Sequence, residues 1–224
     1  MTLMQLSALR VEAIVDTVCP WCYIGKKRLE KALNTEGLSN FPIEWRPFLL
    51  NPDMPQGGVD RKWYLSTKFG GIESANRVYN SIAAAGASVG IDFNFDAIAV
   101  TPDSTLSHRL IYKMSAERPD VGNALVEDLF AAYFLRGRDI GDVDVLVDIA
   151  MRHGADRSEI IDYLHSDMDY EFIVQESRLA HQLGVSGVPC FLFNGRHALS
   201  GAQEPGILQR MIRLARQEDI LISQ

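Results

Sequence analysis

The run Val11-Glu12-Ala13-Ile14-Val15-Asp16-Thr17-Val18-Cys19-Pro20-Trp21-Cys22 constrains this chain most, because backbone preference changes there abruptly and does so at two cysteines. Val11, Ile14, Val15 and Val18 suit a buried strand, whereas the residues from Lys26 to Leu33 are ordinary helix formers. The switch falls at Cys19-Pro20. Proline is tolerated in a first helical turn, where the N–H it lacks would have no intrahelical partner. Cys19 is therefore expected at the helix cap and Cys22 one turn inside.

That placement has chemical consequences. A thiolate at a helix N-terminus faces unpaired N–H groups and the positive end of the macrodipole, a stabilisation of up to about 2 kcal/mol in a partly buried site. Cys22, further inside and less solvated, should hold its proton longer. The asymmetry assigns Cys19 as the thiol that attacks or is attacked, and Cys22 as the thiol that resolves a mixed disulfide.

Bulk properties narrow the setting. A chain of 224 residues buries a substantial core, as one large domain or as one domain carrying an insertion. With 22 basic and 29 acidic residues the net charge is −7, and no basic block is present, so neither nucleic acid nor anionic membrane is expected as a partner. Three cysteines do not make a secreted disulfide framework, and the odd count implies a free thiol. Residues Met1 to Arg10 carry no cationic leader before their short apolar run, and no apolar stretch reaches the roughly 18 residues that span a bilayer. The expected location is the cytoplasm, where a Cys-x-x-Cys pair is catalytic or metal-binding rather than structural. Half of a zinc site would need a second pair, which is absent, and the five histidines lack ligand spacing, so no metal is expected.

The element order follows from periodicity and caps. Ile43 to Phe48 reads as a second strand, parallel to the first in a right-handed βαβ unit, with Pro47 marking a sheet edge. From about Arg61 to Leu183 the strand signal disappears, which predicts an all-helical insertion. Helices are expected over Ser74 to Val89 and over Ser104 to Arg118, and one with a face of Val121, Leu125, Leu129 and Ala132. Asp142 and Ser158 are expected N-caps of two more, and a longer helix from about Asp169 to Leu183 returns the chain to the sheet. Gly187 to Phe193 leads into a strand, Asn194-Gly195 is a hairpin signal, Arg196 to Ser200 is the returning strand, and Pro205 opens a closing helix.

Three stretches, Cys19-Pro20-Trp21-Cys22-Tyr23-Ile24-Gly25, Gly184-Val185-Ser186-Gly187-Val188-Pro189 and Ser200-Gly201-Ala202-Gln203, resemble the FrnE branch of the DsbA-like thioredoxin-fold oxidoreductases. Thr101 to Leu110 is similar to the family's segment ending in His-Arg-Leu, with Asp103 and Ser107 where members often carry Asn and Ala. The resemblance implies an α/β fold in which a thioredoxin-like domain, residues 1–56 and 184–224, is interrupted by an all-helical insertion domain at residues 57–183. It implies a thiol–disulfide oxidoreductase acting on protein or small-molecule disulfides, with a cis Val188–Pro189 peptide packed against the cysteine pair. Such a corner would turn the Val188 N–H and C=O toward an extended substrate, bordered by Pro20 and Trp21, with Gly184 and Gly187 permitting close backbone approach.

The same resemblance makes glutathione an expected redox partner or co-substrate. The Val188 backbone would hold its cysteinyl part, Ala202 and Gln203 its γ-glutamyl carboxylate, and Asn51 its other end, while His108 joins the substrate-facing set. Read from its surroundings, His108 is a polar helix residue with a satisfied ring rather than a base. The fold also carries glutathione-dependent isomerases resembling 2-hydroxychromene-2-carboxylate isomerase and kappa-class glutathione transferases, in which serine replaces the first cysteine. Here Cys19 is present, so an isomerase or transferase is the second reading and a non-catalytic binding module the third. A homodimer stays open.

Several residues carry plainer expectations. Cys190 reads as a small buried strand residue, Lys26, Lys27 and Arg28 as a solvated run, and Asp16 as a loop residue rather than a proton acceptor for Cys22. The Trp21 ring is either substrate-facing or packed at the helix start. It offers no cation to a thiolate, which sets the expected potential between about −270 and −120 mV.

Overall fold

Strand β1 (Val11–Val15) is buried along its whole length, as befits a β-branched run with neighbours on both sides. In the computed structural model, which describes residues 9–222, it lies inside a four-stranded sheet ordered β2-β1-β5-β6. β2 (Glu44–Pro47) pairs with it in parallel, Glu12 opposite Glu44 and Val15 opposite Pro47. β5 (Cys190–Phe193) pairs antiparallel on the other side, and β6 (His197–Ser200) returns against β5. Pro47 therefore sits on an edge strand, where its missing N–H costs no ladder bond. The hairpin between β5 and β6 turns through Asn194 at φ 53° and Gly195 at φ 65°, the positive pair that a type I′ turn requires.

Helix α1 (Pro20–Thr35) packs against α9 (Pro205–Ile222), and Pro205 is the first helical residue. Between β2 and β5 the chain forms α2 (Arg61–Phe69), α3 (Ile72–Ala87), α4 (Thr105–Glu117), α5 (Gly122–Phe134), α6 (Val143–Arg152), α7 (Arg157–His165) and α8 (Tyr170–Gln182). One buried apolar cluster runs from Val11 and Val15 in the sheet through Tyr23 and Ile24 to Leu125, Phe130 and Ile149 in the helices. The helical segment thus shares its core with the sheet.

This segment departs from the sequence reading in three places. It is not all-helical: β3 (Val59–Asp60) and β4 (Val100–Thr101) form an antiparallel ladder. Two residues per strand are too few to show a period of two, and the approach depends on Gly58, at φ +69°, where a Cβ would lie 2.6 Å from the Thr101 carbonyl oxygen. Helix α2 carries an unrecognised cap, the Asp60 carboxylate accepting from the Trp63 N–H at 2.8 Å, and ends at Gly70 in the left-handed region. Asp156, not Ser158, caps α7, accepting from the Glu159 N–H at 3.0 Å, while Ser158 lies inside the helix. Asp142 caps α6 as expected, accepting from the N–H groups of Asp144 and Val145.

The Lys26-Lys27-Arg28 run is not a solvated face. Lys26 is 1% exposed, and its ammonium donates to Glu30 at 2.6 Å and to Glu127 of α5 at 2.7 Å. Lys27 joins the same Glu127 carboxylate, while Arg28 donates to the Ala202 carbonyl and pairs with Glu204 before α9. Helix-forming composition was read correctly; apart from Glu30, one turn on from Lys26, the partners lie about a hundred residues or more away. Glycines 184 and 187 make no close contact within the chain, since a Cβ at each would meet nothing within 4 Å. The close approach is at Gly25, where a Cβ would lie 2.6 Å from Pro189 Cγ and 3.1 Å from Phe191 Cζ. Gly25→Ala is accordingly expected to lower the free energy of unfolding by about 1–3 kcal/mol through overpacking. Urea titration checks this; an unchanged midpoint would mean that α1 does not press on Pro189.

Candidate active site

Cys19 is the N-cap of α1, with extended backbone at φ −97° and ψ 113°, and Pro20 follows as the first helical residue. Its N–H donates to the Asp16 carbonyl at 3.0 Å, and its own carbonyl accepts from the Cys22 N–H at 3.0 Å. No acidic residue occupies the first turn of α1, so nothing there opposes negative charge on the Cys19 sulfur. The Val188–Pro189 peptide is cis, and Cys19 Sγ lies 3.8 Å from the Val188 carbonyl oxygen. The Trp21 ring is 38% exposed, which makes it the outward-facing member of the motif.

Cys22 is fully buried behind Cys19. Loss of solvent pushes its thiol well above the ordinary thiol range, and its hydrogen bond to the Cys19 sulfur and that sulfur's charge push the same way. At neutral pH it is a protonated thiol. Both cysteines are buried, Cys19 at 5% exposed and Cys22 at 0%, Cys19 at the cap of α1 and Cys22 within its first turn.

Asp16 lies in the loop after β1, as expected, but is buried there. It is 0% exposed; its Oδ1 accepts from the Val18 N–H at 3.2 Å and its Oδ2 from the Leu50 N–H at 2.8 Å. His108 of α4 is also buried, with Nε2 3.7 Å from Asp16 Oδ1 and no hydrogen-bond partner. The ring expected to be satisfied is not, since its buried Nε2 has no hydrogen-bond partner among the described residues. Next to it the Ser107 and Thr17 hydroxyls are 2.7 Å apart, joining α4 to the β1–α1 turn. Asp103 caps the entry to α4 by accepting from the Thr105 N–H and hydroxyl at 2.9 and 2.7 Å. Both departures from the family pattern therefore have structural partners.

The remaining expected residues lie around this centre. Asn51 directly follows Leu50; its Oδ1 accepts from the Tyr64 hydroxyl at 2.9 Å, and it lines a cavity of about 390 Å³ with Trp63 and Tyr64. The Ala202 carbonyl is held by Arg28, while the Gln203 side chain donates to the Ser200 carbonyl at 2.7 Å and its N–H to the Gly201 carbonyl at 2.8 Å. These two are tied into the turn before α9. The sequence reading gave no role to Arg61 or Tyr79. Arg61, 4% exposed, donates to the Tyr79 hydroxyl at 2.8 Å, and burial raises the pKa of that hydroxyl. The only signal for them was an Asp60 cap preceding Arg61.

Comparison with known proteins agrees with this arrangement. The sequence profile of the DSBA-like thioredoxin domain matches residues 10–213. The chain belongs to the DsbA-like thioredoxin domain family. A probable DsbA oxidoreductase from Streptomyces coelicolor superposes with a TM-score of 0.82 at 28% identity, covering 94% of this chain and 91% of the other. YwbO of Bacillus subtilis (strain 168) is 24% identical over 90% of this chain and 94% of its own length. The cytosolic disulfide reductase DsbM of Pseudomonas aeruginosa, solved with GSH, shares the fold with a TM-score of 0.63 at 17% identity, covering 93% and 99% of the two chains. Membership of this family and the paired cysteines place the chain among thiol–disulfide oxidoreductases and isomerases.

Two measurements follow from the buried thiols. Cys190 is 2% exposed, and burial raises its pKa, with the Ser200 hydroxyl 3.9 Å from its sulfur. Once Cys19 and Cys22 are joined as a disulfide, native protein should take up no thiol label and unfolded protein one equivalent, by intact mass. Fast native labelling would mean that Cys190 is exposed to the site. The raised Cys22 pKa also sets a pH dependence: the stability it contributes is complete below the ordinary thiol value of 9.0 and is lost as pH rises above it. Reduced protein should unfold at lower urea at about pH 10 than at about pH 8, and Cys22→Ser should show a smaller loss.

Proposed function

We propose that this chain is a thiol–disulfide oxidoreductase of the FrnE branch that works through mixed disulfides on Cys19. The observation that carries this reading is the Cys19 sulfur at the N-terminus of α1, 3.8 Å from the Val188 carbonyl, with the protonated Cys22 buried behind it. A substrate disulfide is attacked by Cys19, which becomes bonded to one substrate sulfur while the other leaves as a thiolate. Cys22 then displaces the bound sulfur. Val188, beside Pro189, offers backbone groups to an extended substrate, and Trp21 and Pro20 border the docking corner.

Glutathione is the proposed small-molecule partner, held at Val188, Ala202, Gln203 and Asn51. The DsbM structure with GSH supports this, as a related fold in a protein described as a cytosolic disulfide reductase. The same likeness supports a cytoplasmic setting. Among the described residues no helix is long and apolar enough to cross a membrane.

Trapping tests the mechanism. Cys22→Ser is expected to retain mixed disulfides on Cys19, identifiable by mass, and Cys19→Ser to abolish exchange. An enzyme that takes its thiol from glutathione would stay active as Cys19→Ser and overturn the reading. Equilibration with glutathione should give a potential between about −270 and −120 mV, because Trp21 supplies no charge to the thiolate. A value outside that window would contradict the argument from Trp21.

A further inference from the structure

Helix α8 is apolar on two sides. Its inward residues, Ile173, Ser177 and Ala180, are buried where the helix packs on α4 and β2, as expected of a surface helix. A second stripe points outward. Met168 in the turn before the helix, Phe172, Leu179 and the C-cap Leu183 recur at spacings of four, seven and four, which puts them on one side of α8. All four are exposed, from 39% at Leu179 to 71% at Leu183. Tyr112 of α4, also exposed, packs on Phe172 with ring centroids 4.5 Å apart and widens the stripe. Beside these rings a cavity of about 620 Å³ continues the apolar surface to Trp45 of β2 and Pro119. Contiguous exposed apolar surface marks an interaction site.

The polar side chains along the stripe identify its partner. On one margin Glu176 is already engaged, pairing with Arg46 of β2 at 2.6 Å. On the other margin stand Glu171, Gln175, Arg178 and Gln182, all exposed. Glu171 accepts from Gln175, and neither Glu171 nor Arg178 forms an ion pair among the described residues. Two helical turns separate them, too far for one to reach the other within α8. Phe172 and Leu179 share their midpoint with Met168 and Leu183, between Gln175 and Glu176. We propose that two copies of this chain pair through α8, antiparallel, about a two-fold axis at that midpoint. Phe172 then meets Leu179 of the partner subunit, Met168 meets Leu183 of the partner subunit, and Glu171 reaches Arg178 of the partner subunit. Two-fold symmetry makes each contact twice, so an acid and a base at matched positions on one helix complement a copy of that helix. An anionic lipid surface would instead be repelled by the net charge of −7. Leu183 adjoins the Gly184–Pro189 segment, so pairing also covers the start of the docking corner. The proposal is independent of the cysteine chemistry.

Sedimentation equilibrium of the full chain tests this, with a reductant present so that no disulfide joins two chains. At about 100 μM the wild type should have twice the 25.0 kDa mass of the chain. Leu179→Glu, at an exposed position, should sediment as a single chain with an unchanged far-ultraviolet circular dichroism spectrum. Glu171→Arg and Arg178→Glu should each raise the dissociation constant about tenfold, because each sets like charges together at two symmetry-related places. Combining Glu171→Arg with Arg178→Glu in one chain should restore the wild-type value. Residues seven apart in one helix do not meet, so that recovery reports a contact between copies.

A wild type of single-chain mass at that concentration would overturn the proposal and leave the stripe to a different protein or to lipid. A Leu179→Glu protein that stays dimeric would place the interface elsewhere and overturn it too. If Leu179→Glu does not fold, the charge exchange decides. Single variants that pair as tightly as the wild type, or a double variant no tighter than the singles, would mean that Glu171 and Arg178 do not meet across a two-fold axis.

Discussion

The Asp16 carboxylate is the interaction on which the cysteine centre depends. A carboxylate with no solvent contact must have its oxygens satisfied, and Asp16 does this with two backbone N–H groups from different parts of the chain. One, from Val18, closes the turn that delivers Cys19 to the cap of α1. The other, from Leu50, ties that turn to the segment leaving β2. Its carbonyl in turn accepts from the Cys19 N–H. The turn, the edge strand and the first cysteine are therefore positioned by a single residue, and Asn51 is carried into the neighbourhood by its bond to Leu50.

The helical segment is joined to the sheet by buried polar groups as well as by the shared core. Lys26 of α1 reaches Glu127 of α5, and the Thr17 hydroxyl meets Ser107 of α4. Arg109, one residue beyond His108 and 2% exposed, donates to the carbonyls of Tyr163, Leu164, Ser166 and Met168, satisfying the end of α7 and the turn that follows. Breaking a buried charged contact on one side leaves an uncompensated group, so such contacts tolerate little sliding. The His-Arg-Leu segment thus has a divided role. Its arginine holds the helices together, and its histidine lies 3.7 Å from the Asp16 carboxylate.

Much of this was legible from local signals. The β-branched run, Pro20 and the cysteine spacing located β1, the start of α1 and the inequivalence of the two thiols. Asp142, Asn194-Gly195 and Pro205 each occupy the position their chemistry favours. Apart from the caps of α2 and α7, which are local, the readings that changed concern partners distant in the chain. Lys26 looked solvated because its run is charged, yet Glu127 lies 101 positions away. The burial of Asp16 in its loop was not legible because Leu50 and His108 are not its neighbours in sequence. Gly25 was unremarked because nothing local distinguishes a glycine inside a helix from one pressed against Pro189.

By itself, the sequence determined where the backbone switches from strand to helix, and that the two cysteines sit at that switch, one at the cap and one a turn inside. These are consequences of dihedral preference, capping and spacing, which act within a few residues. Tertiary structure alone decided what surrounds the pair: the Val188 carbonyl at the sulfur, the Asp16–His108 contact beneath it, and the burial that keeps Cys22 protonated. Desolvation and charge act through space, and their strength is set by which distant segments the fold packs together.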